Sequence, residues 1–479
     1  MRIFGWVVLF AVSCAAQTIQ IVTPSSSQVV QRGVSGKADI VVSGTAVDAE
    51  GRAVEARLLR GIVPVFGFTT KKYGTVEGGR FNFTLGGIPS GGPYRLEVKL
   101  AGTKVDSAID PLFVGDVWIL AGQSNMEGVG NLVNVHPPED KVRMFDMVQE
   151  TWQIAKEPLH NLPGSVDSVH WRLNAQKEPE RLTGENLIDF NANRKKGAGL
   201  GLPFAAAYEK AADVPVGLIP CAHGGTSMDQ WDPAKFDRNN PGTSLYGSMI
   251  RRVQAASGGK VKGVLWYQGE SDANPKAAPI FRDKFQGFIA KVREDLAQPD
   301  LPFYFVQIGR HVNDQNQGPW NQVQEIQRQL GTTIPNAAVF AAIDSDLDDQ
   351  IHVSTTDLKR LGENMAKFAA GKAKRGPTLV SALVDGSTIR VTYSDVNGKL
   401  TTKDRLSGFS LHSATGEEIP AIYKEQIDAN GSSVILHFGG KLPEGAVLHY
   451  GAGKNPYCNL RDEMGFGAPV FGPLPLKQQ

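Results

Sequence analysis

The sequence predicts an α/β domain with a mainly parallel sheet, set between N- and C-terminal β-sandwich-like domains. Three observations predict it. Between residues 114 and 374, short apolar runs alternate with amphipathic helical stretches. Over 17–113 and again over 375–479 the texture is β-like, with Gly- and Asn-containing turn signals. The chain has 479 residues, enough for about two to four domains at roughly 100–200 residues each.

In the N-terminal part, residues 38–47 alternate and are rich in Val. Residues 80–85 and 94–100 read as strands, separated by Gly86-Gly87 and Pro89-Ser90-Gly91-Gly92. In the middle part, strands are expected at 117–121, 214–220, 261–267, 303–308 and 337–343. Each is a short apolar run, as strands buried on both faces require. Phe285, Phe288, Ile289, Val292 and Leu296 share one helical face. Leu358, Leu361, Met365 and Phe368 share another, behind a cap expected at Thr356. In the last part, 388–393 and 433–438 alternate, and Asn397-Gly398 and Asn430-Gly431 signal turns. No internal repeat or low-complexity segment interrupts this order.

Charge excludes one class of partner. Lys+Arg 50 against Asp+Glu 49 leaves a net charge of +1, with no basic stripe of the kind a nucleic-acid binder carries. The first residues read as an export signal over 1–16. Arg2 is followed by an apolar run to Val12 and by small residues at Ser13, Ala15 and Ala16, with cleavage expected before Gln17. The run is too short to span a bilayer, which takes about 20 apolar residues. The mature chain is thus expected to be secreted or periplasmic, with no transmembrane segment. Cys14 gives a second reading as a lipoprotein anchor. Cys221 and Cys458 would then remain, read as two buried thiols rather than one disulfide.

In an open parallel sheet, ligands sit at the carboxyl ends of the strands, so residues just past each strand are the candidates for chemistry. Gly122-Gln123-Ser124-Asn125-Met126 follows the first strand. A serine there can attack an ester while backbone N–H groups of its turn face an oxyanion. Asp349-Gln350-Ile351-His352 follows the last strand. Histidine has the near-neutral pKa that a base for serine needs, and a carboxylate three residues earlier can orient its ring. Asp344, Asp346 and Asp348 share that loop, so the choice among them stays open, and clustered carboxylates also suit calcium. Gln268-Gly269-Glu270-Ser271 follows a middle strand. Gln268 is a candidate oxyanion donor, and Glu270 a base or a buried network member. His223-Gly224-Gly225-Thr226-Ser227 follows another, where Gly225 allows close backbone approach. His223 and His311 follow strands and are candidates to line the cleft. The other histidines are not. Trp231 and Trp266 read as core, and Trp320 as undecided.

Together these blocks resemble those of the sialate O-acetylesterase-like carbohydrate esterases, within the wider SGNH, or GDSL-like, hydrolases. Gly91-Gly92-Pro93-Tyr94, Val114-Gly115-Asp116-Val117-Trp118 and Asn455-Pro456-Tyr457-Cys458-Asn459-Leu460 extend the resemblance over most of the mature chain. The resemblance implies a flavodoxin-like hydrolase domain with β domains beside it. It implies Ser124 as nucleophile, His352 as base and Asp349 orienting it. Ser124 N–H, Gly225 N–H and Gln268 would form the oxyanion hole. Apart from the resemblance, Gln123, Asn125, Glu270 and His223 are candidates for substrate or network roles. No metal or organic cofactor is implied. Two positions depart from the pattern. Val353 follows His352 where the family has Pro. Gln324 stands in a helix that often carries Arg, which weakens the expectation of an acidic substrate.

The expected function is therefore removal of O-acetyl groups from carbohydrate through an acyl-enzyme. An acetylxylan or other polysaccharide acetylesterase is the alternative substrate reading. A glycan-binding protein without activity is the alternative of another class, and a calcium-dependent adhesion module the weakest.

Overall fold

The computed structural model describes residues 17–312, 315 and 317–478. The export segment 1–16 and Cys14 lie outside the described residues. The chain divides into two compact units, one of residues up to 28 with 32–114, the other of 29–31 with 115–479.

The first unit is antiparallel β. Lys37–Val47 lies between Thr18–Thr23 and Arg80–Pro89. Ala53–Arg60 pairs with Val63–Pro64, Lys71–Thr75 and Gly91–Leu100. Burial follows the period of two that the alternation predicts. Ala38, Ile40, Val42 and Ala46 point inward, while their neighbours face out.

The second unit is mixed α/β, built on a mainly parallel sheet. Its strands run in the order Trp152–Ile154, Val142–Phe145, Val216–Pro220, Asp106–Gly122 through its residues 116–122, Gly263–Tyr267, Phe303–Gln307 and Ala337–Ala341. Only the edge pair 142–145 and 152–154 is antiparallel. Five of these strands sit where the apolar runs predict them. The run 303–308 extends past its strand where a side chain takes over from the ladder: the N–H of Ile308 donates to Gln327 Oε1 at 2.9 Å. The edge pair, of four and three residues, is too short to leave a readable period.

Aromatic rings show helices on both faces of the sheet. Trp118 and Tyr304 meet Phe204, Tyr208 and Phe368 on one face. On the other, Trp266, Phe303 and Phe305 meet Phe285 and Phe288 of helix Phe281–Asp295. The expected inward face of that helix is buried in full. Helix Thr355–Ala369 buries Leu358, Leu361 and Met365, but its cap is not Thr356. Ser354 is the N-cap, and its hydroxyl accepts from the Asp357 N–H. Thr356 already lies inside the helix.

The last β elements belong to this same compact unit. A five-stranded sheet holds Thr378–Asp385, Thr388–Ser394, Ile422–Ile427, Ser433–Phe438 and Lys477–Gln478. A four-stranded one holds Phe409–His412, Glu418–Ile419, Val447–Tyr450 and Phe471–Pro475. Ile389, Val391, Leu411, Leu436 and Leu448 are fully buried in their shared core. Gln307 ties this region to the parallel sheet, donating to Val470 O at 2.9 Å and accepting from its N–H at 2.8 Å. Cys221 and Cys458 are both buried and free.

Phe288 packs on Trp266 at 4.7 Å between ring centroids and on Tyr246, Trp231 and Phe303 at 5.8, 6.0 and 6.1 Å. Phe288→Ala is expected to cost about 3–5 kcal/mol in the transition of this unit, read by urea denaturation. A loss below about 1 kcal/mol would contradict the described packing.

Candidate active site

Strand Asp106–Gly122 ends in a turn that only glycine can make there. Gly122 has φ of +132°, and a Cβ on it would lie 2.2 Å from Tyr267 O. The chain then enters the one-turn helix Ser124–Glu127. Ser124 is its first residue, so its own N–H has no acceptor within the helix. Ser124 lines an open cleft of about 600 Å³ with Gln123, Glu127, Gly224, Gly225, Glu270, Ser271, His311, Trp320, Ile351, His352 and Lys454.

His352 arrives from the far end of the sheet. Its Nε2 lies 3.0 Å from Ser124 Oγ. Its Nδ1 lies 2.9 Å from both oxygens of Asp349. Asp349 also accepts the backbone N–H groups of Ile351 and His352 at 3.1 and 3.0 Å, and a hydrogen bond from Lys196 Nζ. Partial burial pushes the Asp349 carboxyl up, but Lys196 and His352 outweigh it and hold it well below the usual carboxylate range. An ionised carboxylate only accepts, so Nδ1 carries the ring proton and Nε2 is left to accept from Ser124.

The other aspartates of the loop have different partners. Asp344 pairs with Arg360 and Arg461. Asp348 accepts from Asn131 N–H and from Thr355. The Asp346 N–H donates to Asp357 at 2.8 Å. Asp349 is thus the carboxylate on His352, a choice that spacing left open.

Asn125 joins the two halves of the site. Its Nδ2 donates to Glu270 Oε1 at 2.9 Å, and its Oδ1 accepts from Val353 N–H at 3.0 Å. The valine after His352 therefore has a task that proline, lacking an N–H, cannot perform. Gln123 Oε1 accepts from Ser271 N–H at 3.3 Å. Glu270 is held in a buried network, not set against Ser124.

Gly225, with φ of +69°, sits on the cleft wall, and nothing lies within 4 Å of where a Cβ would stand. Gln268 departs from expectation. It is fully buried and absent from the cleft lining, and its Nε2 donates to Thr226 O at 3.2 Å and to Asp272. Both amide hydrogens are thus taken, so the oxyanion role expected for it is corrected to support of the loop that carries Gly225.

His223 does not line the cleft and joins a buried chain instead. Ser248 Oγ donates to Asp167 at 2.7 Å, so it accepts from His170 Nε2 at 3.1 Å. His170 Nδ1 is then an acceptor, and His223 Nδ1 donates to it at 3.0 Å. Burial and Arg252 hold His170 well below its ordinary value, in keeping with this neutral tautomer.

Three features escaped the sequence reading. Lys196, on a short strand paired with 130–131, carries no motif. Glu127 follows the serine block directly, in sequence that had signalled only the block. Lys454 comes from the last β region. It is held by Asn321, which bonds Gly451 and Gly453, and its ammonium lies 5.0 Å from the Trp320 ring centroid. Gln324, taken above as a missing cation, is fully buried and donates to Ile308 and Gly309 carbonyls.

Residues 114–370, which hold all of these side chains but Lys454, match the family described as carbohydrate esterase, sialic acid-specific acetylesterase. The chain belongs to this family. A probable carbohydrate esterase of Arabidopsis thaliana is similar at 28% identity, over 55% of this chain and 92% of that protein. The sialate O-acetylesterase of Homo sapiens is 23% identical over 54% of this chain, and the match spans 53% of the human protein. Among solved structures, a carbohydrate acetylesterase from Xanthomonas citri shares the fold with a TM-score of 0.64 at 23% identity, covering 95% of this chain and 99% of that one. Among the described residues, no helix is long and apolar enough to cross a membrane.

Burial holds the Glu270 carboxyl at about 7 against an ordinary 4.5, and Glu127 and Glu157 are raised alike. Between these values each of these carboxyls binds more proton in the folded state than in the unfolded one, so its contribution to stability is full below about 4.5 and falls as pH rises through 7. The urea midpoint of the wild type is expected to fall relative to that of Glu270→Gln between about pH 5 and about pH 8. An equal slope in the variant would contradict the raised value.

Proposed function

We propose that this chain is a serine esterase of the SGNH type that removes O-acetyl groups from carbohydrate. The observation that carries the reading is the line Asp349–His352–Ser124 ending at the cleft beside Gly225. His352 Nε2 takes the Ser124 proton as Oγ attacks the acetyl carbonyl carbon. The carbonyl π electrons pass to oxygen, where the N–H groups of Ser124 and Gly225 meet the charge. One such donor is worth roughly 2.7–4 kcal/mol of barrier. The carbonyl re-forms, the sugar C–O bond to the acyl carbon breaks, and His352 gives its proton to the departing sugar oxygen. Water then attacks the acyl-enzyme with the same base, and acetate leaves.

The flavodoxin-like arrangement belongs to the same proposal, supported by the parallel sheet with Ser124 at the end of its inner strand. So does the division into a β domain over 17–113, a hydrolase domain over 114–374 and a β domain over 375–479. Export to the periplasm or medium is proposed from the apolar start at 1–16. Membership of a family described as sialic acid-specific supports an acidic sugar as substrate.

Hydrolysis of 4-nitrophenyl acetate is expected to fall by about 10⁴-fold or more in Ser124→Ala. Acetate release, followed by mass spectrometry across O-acetylated sialic acids and acetylated xylans, is expected to favour the acidic sugars. Equal hydrolysis by wild type and Ser124→Ala would defeat the mechanism, and preference for xylan would defeat the substrate reading.

A further inference from the structure

Among the described residues, the backbone N–H groups after strand Val216–Pro220 are accounted for one after another. Cys221 donates to Leu120 O at 2.8 Å and His223 to Gly122 O at 3.0 Å, both on the neighbouring strand. Ala222 donates to His160 Nε2 at 3.1 Å, and Gly224 to Glu127 Oε2 at 2.7 Å. No hydrogen bond occupies the N–H of Gly225, which lies on the cleft wall. Two strand carbonyls and the side chains of buried His160 and half-buried Glu127 thus hold four consecutive amides, and the fifth is left for a ligand.

Glu127 is the last of these holds and the one nearest the open amide. Geometry gives it little freedom. A Cβ on Gly224 would lie 2.9 Å from Glu127 Oε2 and 3.4 Å from Ser124 Cβ, so bare backbone is what fits among the three residues. The far side of the turn is also pinned: Thr226 Oγ1 donates to His223 O at 2.7 Å, and Gln268 Nε2 to Thr226 O.

We propose that Glu127 is a positioning residue for acyl transfer: by accepting the Gly224 N–H, its carboxyl oxygen fixes the turn that presents the Gly225 N–H to the developing oxyanion. This rests on Ser124 being the nucleophile. Preorganised donors stabilise a transition state because they need not reorient as charge develops. Burial raises the Glu127 carboxyl to about 7, with Arg194 opposing, so the site holds an acceptor there without a fixed full charge beside the oxyanion.

The experiment compares Glu127→Ala, Glu127→Gln and Glu127→Asp, with Ser124→Ala alongside, in hydrolysis of 4-nitrophenyl acetate. Glutamine keeps an acceptor at the same reach. Aspartate keeps the carboxyl but falls one bond short. Alanine and aspartate are expected to lose about 10–100-fold in kcat with KM nearly unchanged, and glutamine to stay within about threefold of wild type. Melting is followed for each, and if alanine does not fold, the aspartate and glutamine pair decides. Wild-type kcat in Glu127→Asp, or a glutamine variant as poor as the alanine, overturns the role of Glu127 while Ser124→Ala stays inactive. Activity in Ser124→Ala overturns the underlying reading instead.

Discussion

The contact between Ser124 Oγ and His352 Nε2, at 3.0 Å, joins residues 228 positions apart, and most of the site serves to keep it. Each partner sits at the carboxyl end of a parallel strand, where the chain must leave the sheet. The sheet fixes those ends because its strands are buried on both faces and cannot slide without exposing apolar surface. The loops add local restraint. Asn125 binds the segment after the serine to Val353, the residue after the histidine, so the two loops are tied by backbone as well as by the Ser124–His352 contact. Asp349 and Lys196 then hold the imidazole from behind.

A second constraint concerns donors. Buried backbone N–H groups need partners, so an amide left open in a cleft must be surrounded by satisfied ones. The loop 221–225 meets this requirement with the side chains of His160, which is buried, and Glu127, which is half-buried. His160 has its ring held at about 3, by burial first and then by nearby Arg252, so it stays neutral and free to accept. The chain from Asp167 through Ser248 and His170 to His223 steadies the same loop from below. Arg251 and Arg252 supply the charge that lets a carboxylate sit at its root. Three separate elements thus converge on one short turn.

Much of this was legible in the sequence, for physical reasons that differ by residue. Strands buried on both faces appear as apolar runs, so five of seven strands of the α/β sheet could be placed, while Trp152–Ile154 was too short to register. Ser124, His352 and Gly225 line one cleft because each lies past the end of a strand, where such sheets place their ligands. Asp349 was one of four carboxylates in a loop, and only Lys196 and the ring geometry distinguish it. Gln268 was read as a donor to the cleft because its position after a strand is right. Its side chain turns inward, toward Thr226 O and Asp272, which no sequence spacing encodes. Lys196 and Lys454 reach the site from a peripheral strand and from the last β region, and isolated lysines leave no pattern to read.

The central claim is that Ser124 is an alcohol made reactive by His352. A fluorophosphonate tests it without regard to the natural sugar. Attack by an activated hydroxyl forms the O–P bond and expels fluoride, leaving an adduct that intact-mass and peptide mass spectrometry can locate. A single adduct on Ser124, formed in the wild type and absent in His352→Ala, is the expected result. Labelling elsewhere in the chain, or labelling of Ser124 at the same rate without His352, would contradict the account.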